Sequence, residues 1–425
     1  MPLVERDAHV EDLSAFIRES PSSYHAAVAV AERLVAAGFE RLDERDEWPA
    51  GPGRRVVVRD GAVIAWVQPE AATATSAYRI IGAHTDSPSF KLKPGASTSS
   101  EGVLQAGVEV YGGPLLNSWL DRELELAGRL VTADGTEHLV RTGPLLRIPQ
   151  LAIHLDREVN KGLTLDRQRH LQPIWGSGAA GDVLAHLAGI AGLQVDEIAG
   201  HDVLVADTAA PARFGLDDVF FAAGRQDNLT SVHAGLVALL AAGDDAASDH
   251  VSVLAAFDHE ELGSESRSGA SGPFLVDVLA RIAAGLGADE HDRRRAFAAS
   301  WLLSSDAGHA VHPNYPERHD PVNRPHLGDG PLLKLNANQK YATDAHGSAL
   351  WARACEQAGV RFQPFVSNNA IPCGSTIGPL SATRLGIRTV DVGTPLLSMH
   401  SARELSHVDD LTALAAAATA FLTPA

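Results

Sequence analysis

The chain has 425 residues, too many for one compact core, so its length favours two domains or one domain carrying a large insertion. A hydrophobic content of 45% and a mean hydropathy of -0.03 describe an ordinary globular protein, not a disordered one. With 35 Lys and Arg against 53 Asp and Glu, the formal charge of -18 excludes the basic footprint that nucleic acid or an anionic membrane requires, and any acidic substrate has to be attracted locally.

Helices are expected over 8–20 and 22–38, the second opening at Ser22 and Ser23 and closing at Gly38, with Ala26, Val30, Leu34 and Val35 at helical spacing. The period then shortens. Arg55 to Val58, the turn Asp60-Gly61, and Ala62 to Val67 form a hairpin pattern. Tyr78 to Ala83 is a third apolar strand, and it ends in His84-Thr85-Asp86. From Ser89 to about Ile153 short strands separated by Gly, Asn or Asp turns dominate: 89–93, 103–111, 123–131 and 137–141 suit a β-barrel or sandwich better than a βαβ layer. This composition shift marks an inserted β-rich domain, with a helical stretch over 181–192, a strand over 201–207 and a far boundary near Phe220. The expected organisation is therefore a discontinuous α/β domain over 1–88 and 221–425, interrupted by a β-rich insertion over 89–220.

Beyond Phe220 helices and strands alternate regularly. A helix over 229–240 follows Arg225-Gln226-Asp227-Asn228, and the apolar strand Val251 to Phe257 comes next. Helices are expected over 274–284 and 289–299, a strand over 300–305, a short strand over 332–335 and a helix over 344–358. Residues 362–366, a helix over 377–385, a strand over 387–392 and a closing helix from Asp409 complete the pattern. Cys355 and Cys373 cannot make a disulfide framework, and neither belongs to a CxxC pair. The first residues carry acids and no apolar signal region, and no stretch is apolar for the length of a bilayer crossing, so a cytoplasmic protein without a membrane partner is expected.

Several strands run straight into ionisable residues. Val251 to Phe257 ends in Asp258-His259-Glu260-Glu261, which alone also reads as a solvated capping loop. His84-Thr85-Asp86, Ser305-Asp306 and Ser398-Met399-His400 repeat the arrangement, and Asp227 stands at a helix start. In open α/β sheets ligands bind beyond the carboxyl ends of the strands. Buried charges have to be paired or coordinate a metal, and carboxylates with imidazoles but no thiolates suit zinc, cobalt or manganese. Two ions about 3.5–4 Å apart need one bridging carboxylate plus a His and a second carboxylate each. His84, Asp227, Glu261, Asp306 and His400 supply that set. Glu260 is then free to move a proton, and Asp86 to hold the other nitrogen of His84.

Seven segments carry a family likeness: GAHTDSP (82–88), RQDN (225–228), DHEELGSE (258–265), SSDAGHAVHPNYPERH (304–319), NQKYAT (338–343), PCGSTIGP (372–379) and SMHSARE (398–404). Together, and in this order over nearly the whole chain, they resemble the M18 metallopeptidases, the aspartyl aminopeptidases. The HxD, DN, EE, D and H series is shared by several cocatalytic zinc peptidases, whereas AVHPNYPERH and PCGSTIGP look particular to M18.

The resemblance implies a zinc-peptidase α/β/α sandwich interrupted by a β-rich dimerisation domain, and two zinc ions, with cobalt or manganese as alternatives. His84 and Asp306 would serve one ion, Glu261 and His400 the other, with Asp227 between them. A water activated by the two metals would attack the peptide, with Glu260 as general base. His309 and Lys334 would contact substrate, Lys334 pairing with the side chain of an N-terminal Asp or Glu; an edge-strand lysine pointing to water is the plainer reading of that position. The resemblance further implies a tetrahedral dodecamer built from dimers, in which His154, in Leu151-Ala152-Ile153-His154-Leu155, reaches a neighbouring active site and steadies the oxyanion; as an alternating apolar strand this segment also reads as core or interface. His170, His259, His312 and Cys373 are read as surface or structural. A broad or neutral-specificity aminopeptidase, an amidase on the same centre, and a non-catalytic scaffold or receptor are the competing functions.

Overall fold

Four apolar runs recognised in the sequence become the centre of the molecule. In the computed structural model, which describes residues 5–178, 180–243 and 248–424, strands Val251–Phe257, Tyr78–His84, Trp301–Ser305 and Arg388–Gly393 lie side by side and parallel. Ala62–Gln68 and Gly53–Arg59 extend one edge antiparallel, with Glu40–Leu42 outermost, and Leu332–Lys334 and Gln363–Phe365 extend the other to nine strands. Alternation along the strands feeds two apolar layers. Ile81, Ala83, Leu254, Leu303 and Val390 face helices Arg6–Glu19, Ser23–Ala36, Gln226–Ala242, Ala345–Ala358 and Val408–Leu422. Ile80, Val251, Val253, Phe257 and Leu302 face Phe274–Gly285, Glu290–Ala299 and Ile377–Leu385. The result is the α/β/α sandwich expected.

Local chemistry explains where these helices start. Ser22 accepts the His25 N–H, Asp289 accepts that of Asp292, and Asp344 accepts that of Gly347. The closing helix starts at Val408, one residue before the expected Asp409, and its Leu411, Leu414 and Phe421 are buried against the sheet layer. Among the described residues no helix is long and apolar enough to cross a membrane.

Residues 89–207 build a second, six-stranded sheet in the order Glu137–Arg141, Leu124–Thr132, Ile198–Asp207, Ser89–Ser100, Val103–Tyr111, Ile174–Ser177, and every pairing is antiparallel. Helix Val183–Ala191 covers its core of Phe90, Leu124, Leu126, Leu130 and Val203. A three-stranded sheet, Ala212–Phe214, Phe220–Ala223 and Glu404–His407, was not legible, and it joins residues on both sides of position 220. The segment 151–155 is a correction. It forms an exposed turn rather than a strand, and Leu151, Ile153 and Leu155 are 56%, 50% and 75% exposed, so their alternation has no apolar face to pack against.

On the buried face of the first helix, His9 meets His233 with ring centroids 4.9 Å apart and planes tilted by 59°, and His233 Nε2 lies 2.7 Å from Asp12. Burial, reinforced by His233, pushes the His9 imidazole down to about 3. A histidine depressed in the folded state contributes stability that is complete above its ordinary value near 6.5 and is lost as the pH falls toward the folded value. Stability should therefore fall below pH 6.5 with a slope of up to about 1.4 kcal/mol per pH unit from this group. His9→Gln should flatten that slope, read as Tm against pH between 6.5 and 5; an unchanged slope would exclude His9 as a source of acid sensitivity.

Candidate metal centre

The carboxyl ends of the parallel strands converge on one wall of a cavity of about 560 Å³. His84 is the last residue of its strand and pairs in register with Phe257, so the tip of the neighbouring strand brings Glu260 and Glu261 beside it on a short 3-10 turn. Asp306 follows the strand Trp301–Ser305, and its N–H donates to the Val392 carbonyl at 3.0 Å. Asp227 sits in the first turn of its helix with non-helical φ and ψ of -81° and 101°. His400 comes from a loop, with φ +65°.

These five side chains meet in a regular pattern. His84 Nε2 lies 3.3 Å from Asp227 Oδ1 and 3.5 Å from Asp306 Oδ1. His400 Nε2 lies 3.4 Å from Asp227 Oδ2 and 3.5 Å from Glu261 Oε1. Asp227 thus turns one oxygen to each group. His84, Asp227 and Glu261 also offer ligand atoms all within 4.8 Å of one another.

Both imidazoles are oriented from behind by main-chain carbonyls: His84 Nδ1 is 3.0 Å from Asp86 O, and His400 Nδ1 is 3.0 Å from Gly113 O. A carbonyl accepts only, so each Nδ1 carries the proton and each Nε2 directs a lone pair at carboxylate oxygens. That arrangement is repulsive unless a positive charge stands between. Asp227 Oδ1 is buried without a hydrogen-bond partner, which leaves its charge available to a cation at this point. A proton feels the same pull. Burial works against charging His84, yet Asp227, Asp306 and Asp86 hold it well above its ordinary value. Burial likewise opposes protonation of His400, and Asp227 and Glu261 outweigh it, raising the ring to about 10. The donor set of two imidazoles and three carboxylates fits a zinc-type ion.

Glu260 lines the same cavity outside this set, and burial pushes its carboxyl up to about 7, against the opposing pull of His84. Asp86 differs in detail from the expectation. Its main-chain carbonyl takes the His84 Nδ1 proton, while its carboxylate Oδ1 lies 3.5 Å from that nitrogen. The carboxylate is engaged elsewhere, accepting from Glu260 N–H at 3.0 Å, Glu261 N–H at 3.2 Å and the Tyr111 hydroxyl at 2.9 Å.

Lys334 is not an edge-strand lysine. Its strand lies between Arg388–Gly393 and Gln363–Phe365, the side chain is 2% exposed, and Nζ donates to Ala307 O at 2.6 Å, 3.6 Å from Asp306 Oδ2. Its ammonium lies 5.4 Å from the Tyr341 ring centroid. His309 opens onto the same cavity, as do Arg318 and His319. Desolvation, then the Lys334 charge, lowers His309 below its ordinary value. His154 stands apart, exposed in its turn and absent from the cavity lining. His259 bonds Ser266 through Nδ1 at 2.9 Å, and His170 accepts the Asp166 N–H, which accords with structural and surface roles.

Four residues of this neighbourhood carried no role in the sequence reading: Tyr111, Gly113, Asp391 and Glu404. Asp391 is fully buried and accepts from the Thr376 hydroxyl and the Ala342 N–H, each at 2.6 Å, tying two cavity walls together. Thr376 and Ala342 fall inside the PCGSTIGP and NQKYAT segments, and that pairing was the available signal.

Strand-end carboxylates and imidazoles around one cavity, with a separate glutamate facing them, define a metal-dependent hydrolase. A model of the aminopeptidase I zinc metalloprotease family (M18) matches residues 16–422. The probable M18 family aminopeptidase 2 of Streptomyces avermitilis is 54% identical over 420 residues, covering 97% of each chain. Among solved structures, a chain of the Ape4 and Nbr1 complex aligns with a TM-score of 0.95 at 34% identity, covering 100% of this chain and 88% of that one. The mApe1 dodecamer of S. cerevisiae aligns at 0.86 and 28% identity, covering 99% and 97%. The chain belongs to the M18 family of zinc metallo-aminopeptidases.

Gly393 provides a test of how the strands set the centre. A Cβ at this position would stand 1.6 Å from the Asp306 carbonyl oxygen, and main chain cannot yield as a flexible side chain does. Gly393→Ala should cost about 1–3 kcal/mol, the range for overpacking, and should lower zinc content by displacing Asp306. Thermal denaturation and elemental analysis check it; full zinc content would show that Asp306 does not depend on this close approach.

Proposed function

We propose that this M18 aminopeptidase removes acidic N-terminal residues, Asp or Glu, from peptides, using two divalent ions, zinc by preference. The observation that carries the acidic specificity is Lys334, an ammonium held inside the fold at the cavity, with the Arg318 guanidinium on the same lining and His309 and His319 beside them as neutral hydrogen-bonding groups. A fixed cation whose side chain is itself buried favours a substrate carboxylate. It also offers the local attraction that a chain of formal charge -18 needs.

The two-ion reading is supported by the way Asp227 divides its oxygens between the His84–Asp306 and His400–Glu261 groups. Asp227 would bridge, with His84 and Asp306 completing one site and His400 and Glu261 the other. Bound ions there supply Lewis acidity toward the scissile carbonyl and lower the pKa of water.

The chain's own residues account for the rest. Glu260 takes the proton of the attacking water and delivers it to the leaving amine. Asp86 fixes the main chain of Glu260 and Glu261 through two N–H bonds, which keeps the general base and a ligand in one geometry. Lys334 pairs with the acidic side chain of the first residue, and His309 hydrogen-bonds the substrate beside it. Residues 89–220 act as the insertion that builds a homo-oligomer, a reading supported by the six-stranded sheet and by the dodecameric S. cerevisiae relative. In that assembly His154, exposed and outside its own cavity, serves the neighbouring site and steadies the oxyanion.

A panel of Asp-, Glu-, Ala- and Leu-arylamides, assayed before and after chelation and after zinc or cobalt is restored, tests the proposal. Turnover should vanish on metal removal and favour the acidic substrates; no preference for them would leave a broad or neutral aminopeptidase. Lys334→Met should lower kcat/KM for Asp-arylamide by about 10- to 100-fold while sparing Ala-arylamide, as expected for losing a hydrogen bond to a charged group. Glu260→Gln should keep the metal and lower kcat by about 100- to 10,000-fold. Undiminished hydrolysis in that variant would remove Glu260 from its role.

A further inference from the structure

Two buried carboxylates outside the ligand set grip the main chain of the segments that carry ligands. Asp86 does so for Glu260 and Glu261. The other is Glu404, 2% exposed, whose Oε1 accepts the His400 N–H at 2.7 Å and whose Oε2 accepts the Asp227 N–H at 3.0 Å.

Both donors lie where regular structure offers them no acceptor. Asp227 belongs to the non-helical start of its helix, and His400 has left-handed backbone at φ +65°. An N–H left unmatched in the interior keeps its desolvation penalty uncompensated, so each is drawn to the nearest buried oxygen. Glu404 itself is anchored independently of its carboxylate. It opens the strand Glu404–His407, pairs in register with Ala223, and its carbonyl accepts from Gln226 Nε2 at 2.8 Å. One rigid carboxylate therefore spans the main chain of the shared ligand and of one imidazole ligand.

We propose that Glu404 is a positioning residue for the metal centre, fixing the separation between Asp227 and His400 and thereby the affinity for the ion that these two hold with Glu261. The assignment rests on the two-ion reading above. It has an asymmetric consequence, because Asp227 belongs to both ligand groups and His400 to only one. Glu404→Gln keeps the size and one acceptor oxygen but turns an amide N–H2 against a backbone N–H. Glu404→Asp keeps the charge on a shorter stem that cannot span both donors.

The test uses the full-length metal-depleted protein titrated with cobalt against a competing chelator, with the visible spectrum recorded at each equivalent. Wild type should take up two equivalents. In Glu404→Gln one equivalent should be bound nearly as in wild type and the other about 10- to 100-fold more weakly, the range seen when support of a ligand is removed, with an altered cobalt spectrum. At saturating cobalt the KM for an Asp-arylamide should be unchanged. Glu404→Asp should show the same selective loss, and it serves if the Gln variant fails to fold. Fewer than two equivalents in wild type would overturn the two-ion reading itself. Two equivalents in wild type with unchanged affinity and spectrum in the variants, or equal weakening of both ions, would overturn the assignment of Glu404 alone. If neither variant folds with saturating cobalt, Glu404 belongs to the fold and the proposal also fails.

Discussion

Like charges held together out of water are the constraint on which the rest of this structure depends. Asp86, Asp227, Glu261, Asp306 and Glu404 lie within one buried neighbourhood, where an unpaired carboxylate is expensive. The fold resolves this by dividing them. Asp86 and Glu404 receive main-chain N–H donors, two each, whereas Asp227 directs its oxygens at imidazole lone pairs. The first kind is satisfied by protein alone. The second is satisfied only by a positive charge, and so the same chemistry makes part of the cluster a frame and part of it a binding site.

The six-stranded sheet contributes to that frame directly. At the end of Val103–Tyr111 the Tyr111 hydroxyl bonds Asp86, and in the loop beyond it Gly113 O orients the His400 ring while Leu115 N–H donates to His400 O at 2.9 Å. Gly112, at φ +68°, lies where a Cβ would come within 3.2 Å of Glu261 Cβ. The β-rich segment 89–207 therefore buttresses the wall that carries His400 and Glu261 as well as having its own core.

Much of this was legible in the sequence because apolar strands interrupted by charge are a local signal. His84, Glu260, Glu261 and Asp306 stand at such interruptions, and Asp227 at a helix start, so the candidate set follows from strand ends and ligand count. The structure gathers that set around one cavity. Glu404 closes the SMHSARE segment, but its role was not legible: its neighbours carry no period, and its partner Asp227 is 177 residues distant. The strands Ala212–Phe214 and Phe220–Ala223 are too short to show an alternation. At Leu151, Ile153 and Leu155 the opposite failure occurred, since alternation was present but burial was not. Lys334 turned on topology, because only the order of the sheet shows that its strand has a neighbour on each side.

The loop attachment of His400 bears on how the molecule comes into being. His84 is synthesised long before His400 and Glu404, and the helix Val408–Leu422 that packs against Gln226–Ala242 follows them. A nascent chain thus carries His84, Asp227, Glu260 and Glu261 well before His400 can join them at the cavity. Contacts of such long sequence separation form late and slowly. The cluster at the cavity is in this way a late product of folding, closed only when the loop that carries His400 reaches the strand ends.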